Sequence, residues 1–321
     1  MEQPRDPSPA CFICGSAQST LAFRPDVHRW GYAGEFLLRR CSGCGLVFNA
    51  PRLAPEALSR LYGPDYYFFH RSARREVARV LQTYLRTMAH LPISGGTLLE
   101  VGSAKGYLLA LLRVLGWDVT GVELADSAAA YSREEFGLEV VSGTVEEFRD
   151  RNSRTFDVVL ALDVIEHVPD QPAFWQALHD LTRPGSWLVV DTPNVGGRNV
   201  PIVGDRWRGF NPFHIYLFDS ETLRRSLSRA GFTVELMGSY NEVAPEQSRS
   251  FEIAAADEGE SWRGLKARLR PGYRWIEGKL DQLLLPLYLR RARRKLAGLA
   301  PTPLSPEGRG DNLVCIARRS D

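Results

Sequence analysis

A chain of 321 residues, 44% apolar and 24% charged, can bury a sizeable core and has room for one large domain with appendages, or for two domains. A formal net charge of +2 gives no electrostatic case for nucleic acid as a partner. No apolar run approaches the roughly 18 residues of a membrane span, and the opening MEQPRDPSPA lacks a basic-then-apolar leader pattern, so a cytoplasmic location is expected.

Four of the five cysteines pair into Cys-x-x-Cys units, which in a reducing compartment implies metal or redox chemistry rather than structural disulfides. Cys11-Phe-Ile-Cys14-Gly15 and Cys41-Ser-Gly-Cys44-Gly45 are matching knuckles, each ending in a glycine that can turn backbone N–H groups toward sulfur. Four thiolates so placed suit a closed, tetrahedral structural zinc site on Cys11, Cys14, Cys41 and Cys44. The intervening segment is longer than in a usual zinc ribbon, but Phe36, Leu37 and Leu38 can supply a strand within it. The alternatives are a thioredoxin-like redox pair, which belongs at a βα turn, or fortuitous cysteines. A site with every position filled leaves none for chemistry, so its expected role is in folding. Residues 1–50 are thus expected to form a zinc-ribbon-like domain, with Leu46, Val47 and Phe48 as a strand that Pro51 closes.

Residues 51–92 read as a linker with helices. Residues 55–61 fit a short helix, and residues 66–70 form an aromatic cluster that either packs the ribbon on the main domain or lids a site. Residues 72–91 place Val77, Val80, Leu81, Tyr84, Leu85 and Met88 at helical spacing.

From residue 93 the chain alternates strand and helix to residue 238. Leu98, Leu99 and Val101 fit a buried parallel strand; Gly102 and Gly106 make a turn, and Leu108, Leu109, Leu111 and Leu112 the buried face of a helix. The spacing is Glu100-x-Gly102-x-x-x-Gly106, not the G-x-G-x-x-G of a pyrophosphate site, and an acid at the strand end suits a ligand carrying an ammonium group. Residues 117–123 fit a second strand ending in Glu123, about 20 residues beyond the turn, where nucleotide-binding α/β folds place the carboxylate that accepts ribose hydroxyls. A helix over 126–136 and a third strand over 138–141 lead to Gly143 and Thr144. A fourth strand, residues 156–162, is apolar throughout after Asp157 and so buried on both faces. A helix over 174–181 precedes a fifth strand that ends in Thr192-Pro193-Asn194. In an open parallel sheet ligands bind beyond the carboxyl ends of the strands, where Gly102, Glu123, Thr144, Asp163 and Pro193 all fall. Ser220 is a plausible cap for the next helix, which ends at Gly231 before a strand over 232–237.

EVGSAKG (100–106) resembles motif I of the class I S-adenosylmethionine-dependent methyltransferases, and FDVVLALDVIEHVPD (156–170) resembles a second motif of the same family. HIYLFDSETLRRSLSRAGF (214–232) resembles its acceptor-side histidine segment, and the likeness covers residues 97–237 and a final strand at 313–317, with Cys315 buried in it. The resemblance implies a Rossmann-like, doubly wound, mostly parallel seven-stranded α/β sheet. It implies S-adenosylmethionine held by Glu100, Gly102, Ser103, Gly106, Glu123, Leu124, Thr144, Val145 and Asp163, with His214 and His167 as catalytic residues. His214 is the first candidate base, a structural histidine being the alternative. Asp163, Glu166, His167 and His214 also resemble the set that holds a divalent metal in small-RNA 3′-end methyltransferases, a signature largely shared by ubiquinone-pathway O-methyltransferases. A ribbon before such a domain resembles the deoxysugar C-methyltransferases. The implied activity is O- or C-methylation of a small hydroxylated metabolite, sugar or glycan, and the alternative is a non-catalytic scaffold that binds the donor or a partner.

Residues 239–310 depart from the family pattern and read as a helical insertion, with residues 311–321 returning as the last strand. Residues 283–295 join an apolar patch to five basic residues; such a helix could lie on an anionic membrane surface, or pack on its own domain or on a second chain in an oligomer.

Overall fold

The structure, a computed structural model, describes residues 5–6, 10–25, 27, 35–53, 73–241, 285–291 and 300–320. The expected helix at 55–61, the aromatic cluster at 66–70 and most of the 239–310 insertion lie outside these residues.

The N-terminal strands are β1 (Arg5–Asp6), β2 (Ser19–Phe23), β3 (Leu38–Cys41), β4 (Val47–Asn49) and β5 (Arg52–Leu53). Helices α1 (Ala73–Gln82) and α2 (Tyr84–Met88) follow, so the helix expected over 72–91 is interrupted at Thr83. Then come β6 (Thr97–Val101), α3 (Tyr107–Val114), β7 (Asp118–Glu123), α4 (Asp126–Phe136), β8 (Glu139–Ser142), α5 (Val145–Arg151), β9 (Phe156–Leu162), α6 (Gln171–Leu181) and β10 (Thr182–Pro193). The chain continues through α7 (Val200–Val203), β11 (Tyr216–Leu217), α8 (Ser220–Arg229), β12 (Phe232–Tyr240) and β13 (Asn312–Arg319).

The main sheet has seven strands in the order β12-β13-β10-β9-β6-β7-β8. Strands β8, β7, β6, β9 and β10 run parallel, and β13 enters antiparallel between β10 and β12. This is the doubly wound sheet the motifs imply. Helical crossovers of one hand bring the carboxyl ends of the parallel strands to one rim. Strand β9 shows why its residues are apolar throughout. Val158 and Leu160 pack with residues of α1, α2 and α3, whereas Val159 and Ala161 pack on the opposite face with residues of α6 and α8.

Local caps explain several boundaries. Thr144 and Glu147 form a reciprocal capping box at the start of α5. Asp219, not Ser220, caps α8: its carboxylate accepts from the Thr222 N–H at 2.8 Å, and Ser220 is the first helical residue. An aspartate one position earlier does the same work with a charged acceptor.

The ribbon forms a four-stranded sheet in the order β11-β4-β3-β2. Its outermost strand, β11, belongs to the methyltransferase-like part of the chain, so the boundary expected at residue 50 is bridged by backbone pairing. Ile13, Leu38, Val47 and Phe48 of the ribbon share one apolar cluster with Val159, Phe174 and Leu223.

Residues 285–291 are helical, with Leu285 buried in the α1–α3 cluster. The rest of the basic stretch at 283–295 lies outside the described residues. No helix among the described residues is long and apolar enough to cross a membrane.

Candidate active site

The rim of the sheet gathers two groups of side chains. On the β6 side, Gly102 and Gly106 adopt positive φ of 73° and 72°. A Cβ at Gly102 would stand 2.6 Å from a methyl of Val164, so the turn fits only glycine against the neighbouring strand end. Glu100 is buried, and its Oε2 has no hydrogen-bond partner. Burial pushes its pKa well above the usual carboxylate range, the nearby Glu123 charge adds to this, and Arg79 opposes it. A buried carboxyl oxygen without a partner is a costly feature that a cationic ligand would relieve. Ser103 Oγ is likewise buried and without a partner.

Glu123, at the end of β7, is used differently. Its Oε2 accepts from the Ala104 N–H and its Oε1 from the Ala125 N–H, both at 2.8 Å. It therefore fastens the glycine turn to the next loop. Thr144 Oγ1 is engaged in the α5 cap, and Val145 is buried. Leu124 is 58% exposed, an apolar side chain left on the rim.

The residues from α1 and α2 make polar contacts that apolar periodicity does not reveal. Arg79 donates from Nη1 to the Tyr84 hydroxyl at 2.8 Å and from Nε to Glu76 at 3.2 Å. Tyr84 in turn donates to Asp163 Oδ2 at 2.6 Å. Asp163 sits just past β9 at a φ of 54°. Tyr84 fits the helical pattern as one more core aromatic, and only tertiary packing turns its hydroxyl onto Asp163.

The second group lies where β9 ends. A short 3-10 turn, Ile165–His167, carries Glu166, which is 1% exposed. Glu166 Oε2 accepts from Thr192 Oγ1 at 2.9 Å, while Oε1 is buried without a partner. That oxygen stands 3.8 Å from His167 Nε2 and 4.0 Å from His214 Nε2, too far for direct hydrogen bonds. His167 Nδ1 lies 3.0 Å from the Phe213 carbonyl and His214 Nδ1 lies 2.7 Å from the Gly209 carbonyl. A carbonyl can only accept, so each Nδ1 carries the proton and each Nε2 keeps its lone pair. The Asn211 side chain agrees: its Oδ1 accepts from two backbone N–H groups, leaving its Nδ2 to donate to His214 Nε2 at 3.0 Å. Burial lowers the pKa of His167 to about 4. It also takes His214 well below its usual value, with the neighbouring His167 adding to the shift. Both rings are neutral at pH 7.

These three groups meet the requirements of a divalent cation. The carboxylate oxygen and two imidazole nitrogens lie within 4.8 Å of one another. The set suits magnesium, manganese or zinc, and Nδ1–H bonds to carbonyls are the usual way of orienting metal-binding histidines. Asp163, expected as the fourth member, is not in the cluster; its carboxylate turns to Tyr84 instead.

The four ribbon cysteines also converge. Cys11 and Cys44 sulfurs are 3.5 Å apart, and those of Cys14 and Cys41 are 3.4 Å apart. All are free thiols within 4.8 Å of one another. Four sulfurs placed tetrahedrally at zinc–sulfur bonding distance are about 3.8 Å apart, so the set fits a zinc ion. The Gly43 N–H points at Cys41 Sγ at 3.4 Å, as the knuckle requires.

A ubiquinone biosynthesis O-methyltransferase from Azorhizobium caulinodans is 34% identical over 161 residues, covering 46% of this chain and 63% of that protein. One of the same name from Maricaulis maris is 30% identical over 178 residues, covering 51% of this chain and 70% of that protein. A solved SAM-dependent methyltransferase from Archaeoglobus fulgidus is 18% identical, covers 79% of this chain and 100% of its own, and superposes with a TM-score of 0.48. A family model described as a methyltransferase domain matches residues 69–236, more than half of the sequence, and on that match the chain belongs to the methyltransferase-domain family.

Proposed function

We propose that this chain transfers a methyl group from S-adenosylmethionine to a hydroxyl of a small acceptor. The observation that carries the reading is the pair of buried, unpartnered carboxyl oxygens, Glu100 Oε2 and Glu166 Oε1, at the ends of the adjacent strands β6 and β9. Glu100 takes the donor's ammonium, Glu123 and the Gly102–Gly106 turn take its adenosyl part, and Leu124 covers the adenine. Arg79 supplies positive charge that acts on both Glu100 and Asp163, and we assign it to the donor's carboxylate.

The donor is already activated, so positioning supplies much of the catalysis. The acceptor oxygen attacks the methyl carbon in line with the sulfur, and the sulfonium leaves as a neutral thioether. With no cation there, the acceptor hydroxyl replaces the Asn211 amide on the His214 Nε2 lone pair and gives its proton to that nitrogen. A divalent cation held by Glu166, His167 and His214 would occupy that same Nε2 lone pair, so with it bound His214 would be a ligand and not the base, and the cation would instead acidify the acceptor hydroxyl by Lewis acidity. Thr192 and the two backbone carbonyls fix the orientation of that side-chain set.

The relatives are named for O-methylation in ubiquinone biosynthesis, which supports oxygen over carbon as the methylated atom and gives no support to a sugar or glycan acceptor. The test is incubation with methyl-labelled donor and a panel of phenols, catechols and nucleotide sugars. Label on a phenolic or catecholic oxygen supports the reading. Donor binding without label on any acceptor favours a scaffold, and label on carbon replaces O- with C-methylation.

A further inference from the structure

The expected role of the cysteine site is to fold the ribbon, but the ribbon reaches further. Strand β4 pairs antiparallel with β11, placing Phe48 opposite Tyr216 and Val47 opposite Leu217. The Asn49 N–H donates to the Ile215 carbonyl at 2.8 Å, and the Ile215 N–H donates to the Glu166 carbonyl at 2.7 Å. Two hydrogen bonds thus lead from the ribbon to the backbone of both Glu166 and the residue after His214. Phe12, between the first two cysteines, sets its ring edge-on to Tyr216 at 5.2 Å and to Phe218 at 6.4 Å. Arg52 donates to the Pro169 carbonyl at 3.1 Å and lies over the Tyr216 ring.

The other end of the ribbon holds the loop before His214. Phe23 packs its ring tilted against Phe210 with centroids 4.6 Å apart, and the Arg24 N–H donates to Asp205 at 3.0 Å. That loop supplies the Gly209 carbonyl and the Asn211 amide that fix the His214 tautomer. The ribbon therefore grips the histidine segment on both sides. On the donor side, by comparison, Glu123 bonds to the Ala104 and Ala125 N–H groups, Gly102 packs against Val164, and β6 pairs with β7 and β9.

We propose that the metal-loaded ribbon is a positioning device for the acceptor side of the site: a metal on the four cysteines fixes the first knuckle, and through Phe12 and the β4–β11 pairing it fixes His214 and Glu166. Phe12 is a positioning residue. Its truncation is expected to loosen the acceptor wall while leaving the four sulfurs and the donor cradle in place. The inference concerns the wall itself and is read without turnover, so it can fail or stand whatever the methyl acceptor proves to be.

The test is amide hydrogen exchange on the full chain in three states: zinc-loaded, zinc-stripped by chelation and restored with one equivalent of zinc, and zinc-loaded Phe12→Ala. We expect the amides of residues 214–217 to exchange at least about tenfold faster in the stripped protein and in F12A. Those of 98–101 and 119–122 should be unchanged, zinc should reverse the first effect, and Phe12→Leu should recover part of the second. Nitrogen-15 spectra of the His214 ring give a signature that general loosening elsewhere would not. The wild type should show one neutral tautomer protonated at Nδ1, and F12A a mixture of two. Unchanged protection at 214–217 in F12A with a single ring tautomer overturns the proposal. Equal loss of protection across the core strands overturns it too, because the ribbon would then be a general folding determinant.

Discussion

Replacing Glu100 by glutamine tests the donor site with two effects of opposite sign. In the free protein Glu100 is buried beside Glu123, its Oε2 has no partner, and burial raises its pKa well above normal. Folding thus favours its protonated form: stability is fully present below the unfolded-state pKa and declines as pH rises through the raised one. Glu100→Gln removes that decline, and at neutral pH it should stabilise the free protein by about 1–2 kcal/mol, or about 2–4 °C in Tm for each kcal/mol. The same change removes a charge-assisted contact to the donor's ammonium, about 1.5–3 kcal/mol, which is about a 10- to 100-fold weaker Kd. Donor binding to the wild type should also release a proton, because the ammonium stabilises the carboxylate, so affinity should rise with pH until the raised pKa is passed. Calorimetry with S-adenosylmethionine and its demethylated product in buffers of different ionisation enthalpy measures both affinity and proton release, and a thermal melt measures stability. A donor Kd for E100Q within about twofold of wild type, with no loss of proton release, would refute the assignment of Glu100 to the ammonium group.

Four further outcomes are expected. Purified protein should carry about one tightly held zinc per chain, and Cys14→Ser should lose it by elemental analysis. Glu166→Gln should lower kcat by about a hundredfold or more while leaving the donor Kd within about twofold, as measured by labelled methyl transfer and calorimetry. Because burial holds the His167 pKa at about 4 and His214 well below its ordinary value, both rings stay neutral as pH falls. kcat should therefore hold from pH 7.5 to about 5.5, and a loss centred near pH 6.5, the ordinary histidine value, would contradict the assigned environment. Arg79→Met should weaken donor binding by about tenfold without altering the zinc content.

The cysteine knuckles, the glycine turn and the strand-end acids were legible because their chemistry depends on residue types at short, fixed spacings. Strand β9 was legible because burial on both faces removes polar residues altogether. What stayed hidden depends on approach in three dimensions. Thr192 reaches Glu166, and Tyr84 reaches Asp163, across gaps in sequence that no local pattern records. The latter contact is also why Asp163 leaves the metal set that family likeness assigns to it. Strand β11 spans Tyr216–Leu217 only, too short for any periodicity, yet it ties the ribbon to the site. The α8 cap fell one residue early because Asp219 and Ser220 are both good cap formers, and only the backbone geometry chooses between them.

In the proposed function the tips of β6, β7 and β9 form the donor cradle, and His214 and Glu166 face the methyl group. A crystal structure of the full chain with S-adenosylhomocysteine tests it most directly. The ammonium should lie on Glu100, the ribose hydroxyls at Glu123, and the sulfur should be turned toward His214 and Glu166. A ligand bound elsewhere, or one whose sulfur faces away from those two side chains, would contradict it.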